Sequence, residues 1–234
     1  MNNNNNINES YTKFYSEKTH IKVYPTEFVV RTFLANYPGL FFNKPSFGSR
    51  ILDIGFGDGR NTLFLCEQGF DVYGIEITEA IVEQTQERLH ANNVTRIPEL
   101  RVGRNNSIPY SDGFFNYILA CHCCYYLDDG DNIQDNLKEY HRVLSTDGYL
   151  IASVLHQDSY ILQDAKPLAD GSMIVTNDPY KNRNGYRLHG FADESSIINV
   201  FSEYFGSFSF GQAHNNYYGI DENVFWVVCR KRND

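Results

Sequence analysis

Four short apolar runs recur along the first two thirds of this chain: 51–54, 72–75, 117–120 and 149–155. Each is nearly continuous rather than alternating. That is the pattern of strands covered on both faces. They predict strands over 50–54, 71–76, 115–121 and 149–155, with a weaker one near 99–102. Between them the period lengthens to that of a helix. Leu63, Phe64 and Cys66 follow the first run, with Gly69 placed to end that helix. Ile81, Thr85 and Leu89 stand at i, i+4 and i+8 behind a capping Thr78. Ile133, Leu137, Tyr140 and Leu144 are spaced 4, 3 and 4 over 131–144, and Asp147-Gly148 turns the chain into the next strand.

The two ends depart from this alternation. Residues 11–37 read as helix in two pieces, broken near Pro25 and ended by Pro38-Gly39. Asp193 caps a helix carrying Ile197, Phe201 and Phe205, and two closing strands fit 207–213 and 224–230, joined by a polar loop over 215–223. Residues 156–190 have no clear period, and long irregular segments in compact domains are commonly functional. Five strand–helix alternations imply a mostly parallel α/β sheet with helices on both faces. The expected organisation is a disordered polar tail (1–10), an N-terminal helical cap (11–45) and one domain (46–234), with a recognition insertion at about 156–190.

Composition changes the picture in three places. The net charge of −9 is a poor match to phosphate backbones, so nucleic acid is not an expected partner. No run of ~18 apolar residues appears, and Asn2 to Asn6 resemble no secretory leader, so neither membrane nor export is expected. Five cysteines, three of them within 121–124, do not make a disulfide framework and favour a reducing, cytoplasmic setting.

Chemistry concentrates where the first strand ends. Asp53 is followed by Gly55, Gly57 and Gly59, and the second strand ends in Glu76. Glycines let a backbone approach a ligand closely, and an acid at the next strand tip can accept hydrogen bonds from two ribose hydroxyls. A dinucleotide fingerprint needs its third glycine where Arg60 stands. The plain alternative is a tight strand–helix turn that binds nothing.

With these residues the chain resembles the class I S-adenosylmethionine-dependent methyltransferases. The stretch 103–116, with Ile108-Pro109-Tyr110, Asp112 and Phe115, and the stretch 137–150 are similar to two further segments of that family. The resemblance implies a single doubly wound, mostly parallel seven-stranded sheet with a C-terminal antiparallel hairpin. It implies S-adenosyl-L-methionine as cofactor, held by Tyr15, Asp53, Gly55, Gly57, Gly59, Asn61, Glu76, Ile77, Asn105, Asn106 and Cys121. Arg104 stands where the family carries the acid that accepts from adenine, and arginine accepts nothing.

Cys121-His122-Cys123-Cys124 does not read as a metal site, because consecutive strand positions alternate in direction and cannot converge on one ion. His122 and His156 follow the fourth and fifth long strands, where ligands of open α/β sheets bind, and are the candidate catalytic bases. The acceptor expected is a small molecule. The alternatives are a protein or nucleic-acid methyltransferase and a non-catalytic cofactor-binding module. The oligomeric state stays open.

Overall fold

The computed structural model describes residues 3–16, 22–92, 94 and 96–233. Strands β1 (Arg50–Ile54), β2 (Asp71–Glu76), β3 (Glu99–Val102), β4 (Phe115–Ala120) and β6 (Leu144–His156) pair in parallel in the order β3-β2-β1-β4-β6. Strand β11 (Ile220–Lys231) then adds antiparallel to β6, and β10 (Phe205–Tyr217) antiparallel to β11. This is the expected seven-stranded sheet with its closing hairpin. Strand order reverses beside β1, between β1 and β4, and opens a crevice at the carboxyl ends of the strands.

Alternation along the buried strands sorts the core into two layers. Leu52, Ile118, Leu150 and Ala152 face α5 (Ile133–Val143) and α6 (Glu194–Phe201), while Ile51, Leu119 and Ile151 pack with residues of α2 (Glu27–Leu34) and α3 (Arg60–Glu67). Helix α4 (Glu79–Ala91) buries Ile81, Val82, Thr85 and Leu89, and Thr78 caps it by accepting from the Ile81 N–H. Asn132 and Asp135 form a reciprocal capping box at the start of α5.

Four expectations change. The polar tail over 1–10 is helical from Asn3, as part of α1 (Asn3–Ser16); Met1 and Asn2 lie outside the described residues. Asparagine is a weak helix former, so tertiary anchoring decides. Tyr11 Oη donates to Tyr126 Oη at 3.0 Å, and Thr12 and Thr78 hydroxyls meet at 3.1 Å. The segment after residue 156 is not irregular throughout. Strands β7 (Lys166–Pro167), β8 (Ser172–Ile174) and β9 (Arg187–Phe191), with β5 (Tyr126–Leu127), make a small antiparallel sheet, and β9 runs parallel beside the last residues of β6. Arg187 ties it down, donating to the carbonyls of Asp128 and Asp131 and pairing with Asp170 at 2.6 Å.

The polar loop over 215–223 is strand except for a two-residue turn at Tyr218-Gly219, with φ of 53° and 95°. Two positive φ values suit the twist of a tight hairpin. Its arms extend past the sheet, where no core exists to impose an alternating pattern. Phe205 opens β10 instead of continuing α6, yet it is buried in the same apolar cluster as Phe201.

Candidate active site

The glycine turn is built by its own backbone. Gly55, Gly57 and Gly59 have φ of 62°, 55° and 75°, the left-handed region that favours glycine. A Cβ on Gly57 would lie 2.4 Å from the Tyr15 hydroxyl, so the turn is closed from above by α1. Glu76 is buried at the tip of β2, and it grips this turn. One carboxylate oxygen accepts from the Gly57 N–H at 3.1 Å, the other from the Ile77 N–H at 2.8 Å. Burial pushes the carboxyl above its ordinary range, and these two N–H groups pull it back. Each oxygen keeps a lone pair for a further donor.

Above the turn lies a cavity of about 810 Å³, its open mouth included. Gly55, Glu76, Ile77, Tyr15 and Asn105 line it, as the sequence led one to expect, and so does His122. Ile54, Ile75 and Leu127 supply apolar walls. A buried acid with free lone pairs beside flat apolar walls suits a ribose joined to a purine. This donor and acceptor set fits S-adenosylmethionine.

Other expected residues stand behind the wall. Asp53 is 1 % exposed and accepts from Thr62 Oγ1 at 2.6 Å. Asn61 accepts from the Thr26 N–H at 2.9 Å and so fixes the segment before α2. Burial pushes the Cys121 thiol up to about 12. None of the three lines the cavity; all three are buried in the packing around it. Asn106 is also absent from the wall and reaches Asp131 instead. Asn105 lines it but is heavily engaged. Its amide donates to the Cys123 carbonyl at 2.9 Å, and its oxygen accepts from Tyr140 Oη at 2.7 Å.

That last bond gives a test of the scaffold. Tyr140→Phe should leave a buried acceptor unsatisfied and lower stability by ~1–3 kcal/mol. A urea midpoint equal to wild type would show that Asn105 is not held this way.

Asp53 gives a second. Burial raises its carboxyl from 3.8 to about 7, opposed by the Thr62 hydroxyl. Between those values the folded protein keeps a proton that the unfolded chain has lost. Stability therefore falls as pH rises through that window, by on the order of 4 kcal/mol. Asp53→Asn is neutral throughout and should flatten the fall. Parallel stability–pH curves for the two proteins, from denaturant titrations at pH 4 to 8, would rule this out.

His156 is not brought to the cavity. It shares the β6 face of Leu150, Ala152 and Val154, packs on Phe225 at 5.2 Å between ring centres and accepts from the Asp158 N–H through Nδ1 at 3.1 Å. Leu155 takes the site-facing position, and alternation turns the next residue away. His122 does the opposite. β4 ends at Ala120, so 121–124 are a turn and not the strand end expected from the apolar run. His122 adopts φ 57°, its N–H donates to Ser153 Oγ at 2.7 Å, and its ring meets Trp226 edge-on. A non-glycine residue held there is strained, and such strain gathers at functional positions. Burial lowers its imidazole to about 4, with help from Arg60 and Arg183.

Several lining residues carried no local signal. Asp128 lies in the polar run after β5, faces the cavity and pairs with Arg104 at 2.6 Å. Tyr11, Tyr126 and Tyr186 converge from three distant segments, with Tyr11 edge-on to Tyr186 at 5.5 Å. His122, Tyr11, Tyr15 and Tyr126 also line a second cavity, walled further by Tyr160 and Arg183 from 156–190 and by Glu222 of β11.

A β3-β2-β1-β4-β6-β11-β10 sheet whose second strand presents an acid to a glycine turn defines the Rossmann-like methyltransferase fold. Residues 52–152 match the family described as "Methyltransferase domain". YqeM of Bacillus subtilis (strain 168), named as a methyltransferase, is 29% identical over 107 residues, 45% of this chain and 42% of its own. The match thus spans less than half of that relative. A SAM-dependent methyltransferase of Methanosarcina mazei superposes with a TM-score of 0.63 at 20% identity, over 86% of this chain and 100% of its own. The N-methyltransferase NodS of Bradyrhizobium japonicum, solved with S-adenosylhomocysteine, gives 0.62 at 11% identity, over 96% and 100%. Among the described residues no helix is long and apolar enough to cross a membrane.

Proposed function

We propose that this protein transfers a methyl group from S-adenosylmethionine to a small-molecule acceptor. The observation that carries the reading is the pair of adjoining cavities, one centred on Glu76 and the glycine turn, the other on residues of 156–190, with His122 in the wall of both. When bound, the cofactor supplies an activated methyl on a sulfonium. Glu76 holds the ribose hydroxyls. Asp128 stands ready to accept from the adenine amino group, in place of the acid that Arg104 displaces. Tyr11 and Tyr15 cover the cofactor and exclude water. His122 is neutral above a pH of about 4. Its ring accepts a hydrogen bond from the nucleophile's N–H or O–H and sets its line of approach, a positioning contribution more than proton removal. At that pKa it is a weak base at neutral pH.

The test uses purified protein, radiolabelled S-adenosylmethionine and a fractionated cell extract. Label should pass to the low-mass metabolite fraction with release of S-adenosylhomocysteine. Label in protein or nucleic acid would favour a macromolecular acceptor. Cofactor binding with no transfer to any fraction would favour a non-catalytic module.

A further inference from the structure

The chemical class of the acceptor can be argued from the second cavity, resting on the methyl-transfer reading above. Its charged groups are unequally satisfied. Arg60 pairs with Asp58 at 2.5 Å. Arg183 holds Asp178 through Nε at 3.2 Å and Nη2 at 3.0 Å, and donates to Tyr160 Oη at 2.8 Å. Glu222 lines the same cavity, yet among the described residues no hydrogen bond or ion pair engages its carboxylate. Burial pushes that carboxyl up, and Arg183 pulls it down without coming within ion-pair distance. Asn182, also in the wall, has its side-chain oxygen buried without a partner. The His122 ring likewise has no hydrogen-bond partner among the described residues.

Three acceptors therefore share one cavity, and the cations nearby are already paired. Of these only the Asn182 oxygen is fully buried without a partner among the described residues, and the Glu222 carboxylate is a half-buried charge with no counter-ion among them, so the occupant should bring donors and positive charge. The remaining wall is aromatic, with Tyr11, Tyr125, Tyr126 and Tyr160, and tyrosine faces attract cations.

We propose that the acceptor is an amine, bound through its N–H groups to Glu222 beside His122 and Asn182. An alkylammonium binds first as the cation and gives one proton to water at the cavity mouth. The freed lone pair on nitrogen forms the N–C bond as the S–C bond of the sulfonium breaks, and that bond's electron pair returns to sulfur. The products are the N-methylammonium and a neutral thioether.

Benzylamine, benzyl alcohol and benzoate share a ring and differ in the head group. Their affinities for the S-adenosylhomocysteine-loaded protein, read by saturation-transfer NMR and titration, should favour benzylamine at least about tenfold. Glu222→Gln is nearly isosteric and should reduce benzylamine affinity about ten- to a hundredfold while S-adenosylhomocysteine affinity is unchanged. Preference for the alcohol or the acid in the wild-type protein would overturn the inference, whether or not the variant folds. Amine affinity indifferent to Glu222→Gln would overturn it too. In both cases the methyl-transfer reading stands if S-adenosylmethionine binds. Failure of S-adenosylmethionine itself to bind would overturn both.

Discussion

Glu76→Ala is expected to weaken S-adenosylmethionine binding by ~10²–10⁴-fold. Two charge-assisted hydrogen bonds to ribose hydroxyls are lost, each worth ~1.5–3 kcal/mol. The structure adds a second source of loss. The same carboxylate receives the N–H groups of Gly57 and Ile77, so its removal also loosens the turn. Glu76→Gln separates the two effects. It keeps an acceptor oxygen for one of these N–H groups but loses the charge and turns an N–H₂ toward the other, so its affinity should fall between wild type and alanine. Calorimetry with a parallel thermal melt distinguishes lost contacts from a lost fold. Wild-type affinity in the alanine variant would remove Glu76 from the site.

Gly57→Val is the second large effect expected. The backbone there has φ 55°, where a β-branched residue is strained by ~1–2 kcal/mol or more. Its Cβ would also fall 2.4 Å from the Tyr15 hydroxyl. Since Tyr11 and Tyr15 anchor α1 over the cavity, their eviction should uncover the cofactor site. Affinity should drop ~100-fold or more, the combined result of strain, lost cover and a displaced Glu76 partner. Replacing Tyr15 as well tests the cause. If collision with Tyr15 accounts for most of the loss, the double variant Gly57→Val/Tyr15→Ala should lose little beyond Tyr15→Ala. Equal losses in both backgrounds would place the damage in the turn itself.

Legibility followed the range of the forces involved. Strands β1, β2, β4 and β6 were readable because burial on both faces demands unbroken apolar runs. Glu76 and the glycines were readable because a backbone turn at φ above zero constrains residue type locally. The 3–10 part of helix α1 was not, since its asparagines carry no helix signal and the helix is anchored by Tyr11 and Tyr15 docking on distant residues, Tyr126 and Gly57. The arms of the closing hairpin were obscured for a related reason. Beyond the sheet they face no core, so nothing imposes an apolar period on 215–223.

By itself the amino-acid sequence determined the class of fold, the glycine turn after β1 and the acid at the tip of β2. These depend on neighbours in the chain or on a periodic burial pattern. Only the tertiary structure decided which side chains face the cavity. One residue of phase in β6 sends Leu155 to the site and His156 to the opposite core, and an early turn after Ala120 carries His122 into the wall between two cavities. It also decided that Asp128, Tyr186, Arg183 and Glu222 converge there from separate elements. Their meeting depends on how β5, β9 and β11 pack, and side-chain convergence across such distances leaves no periodic trace in a single chain.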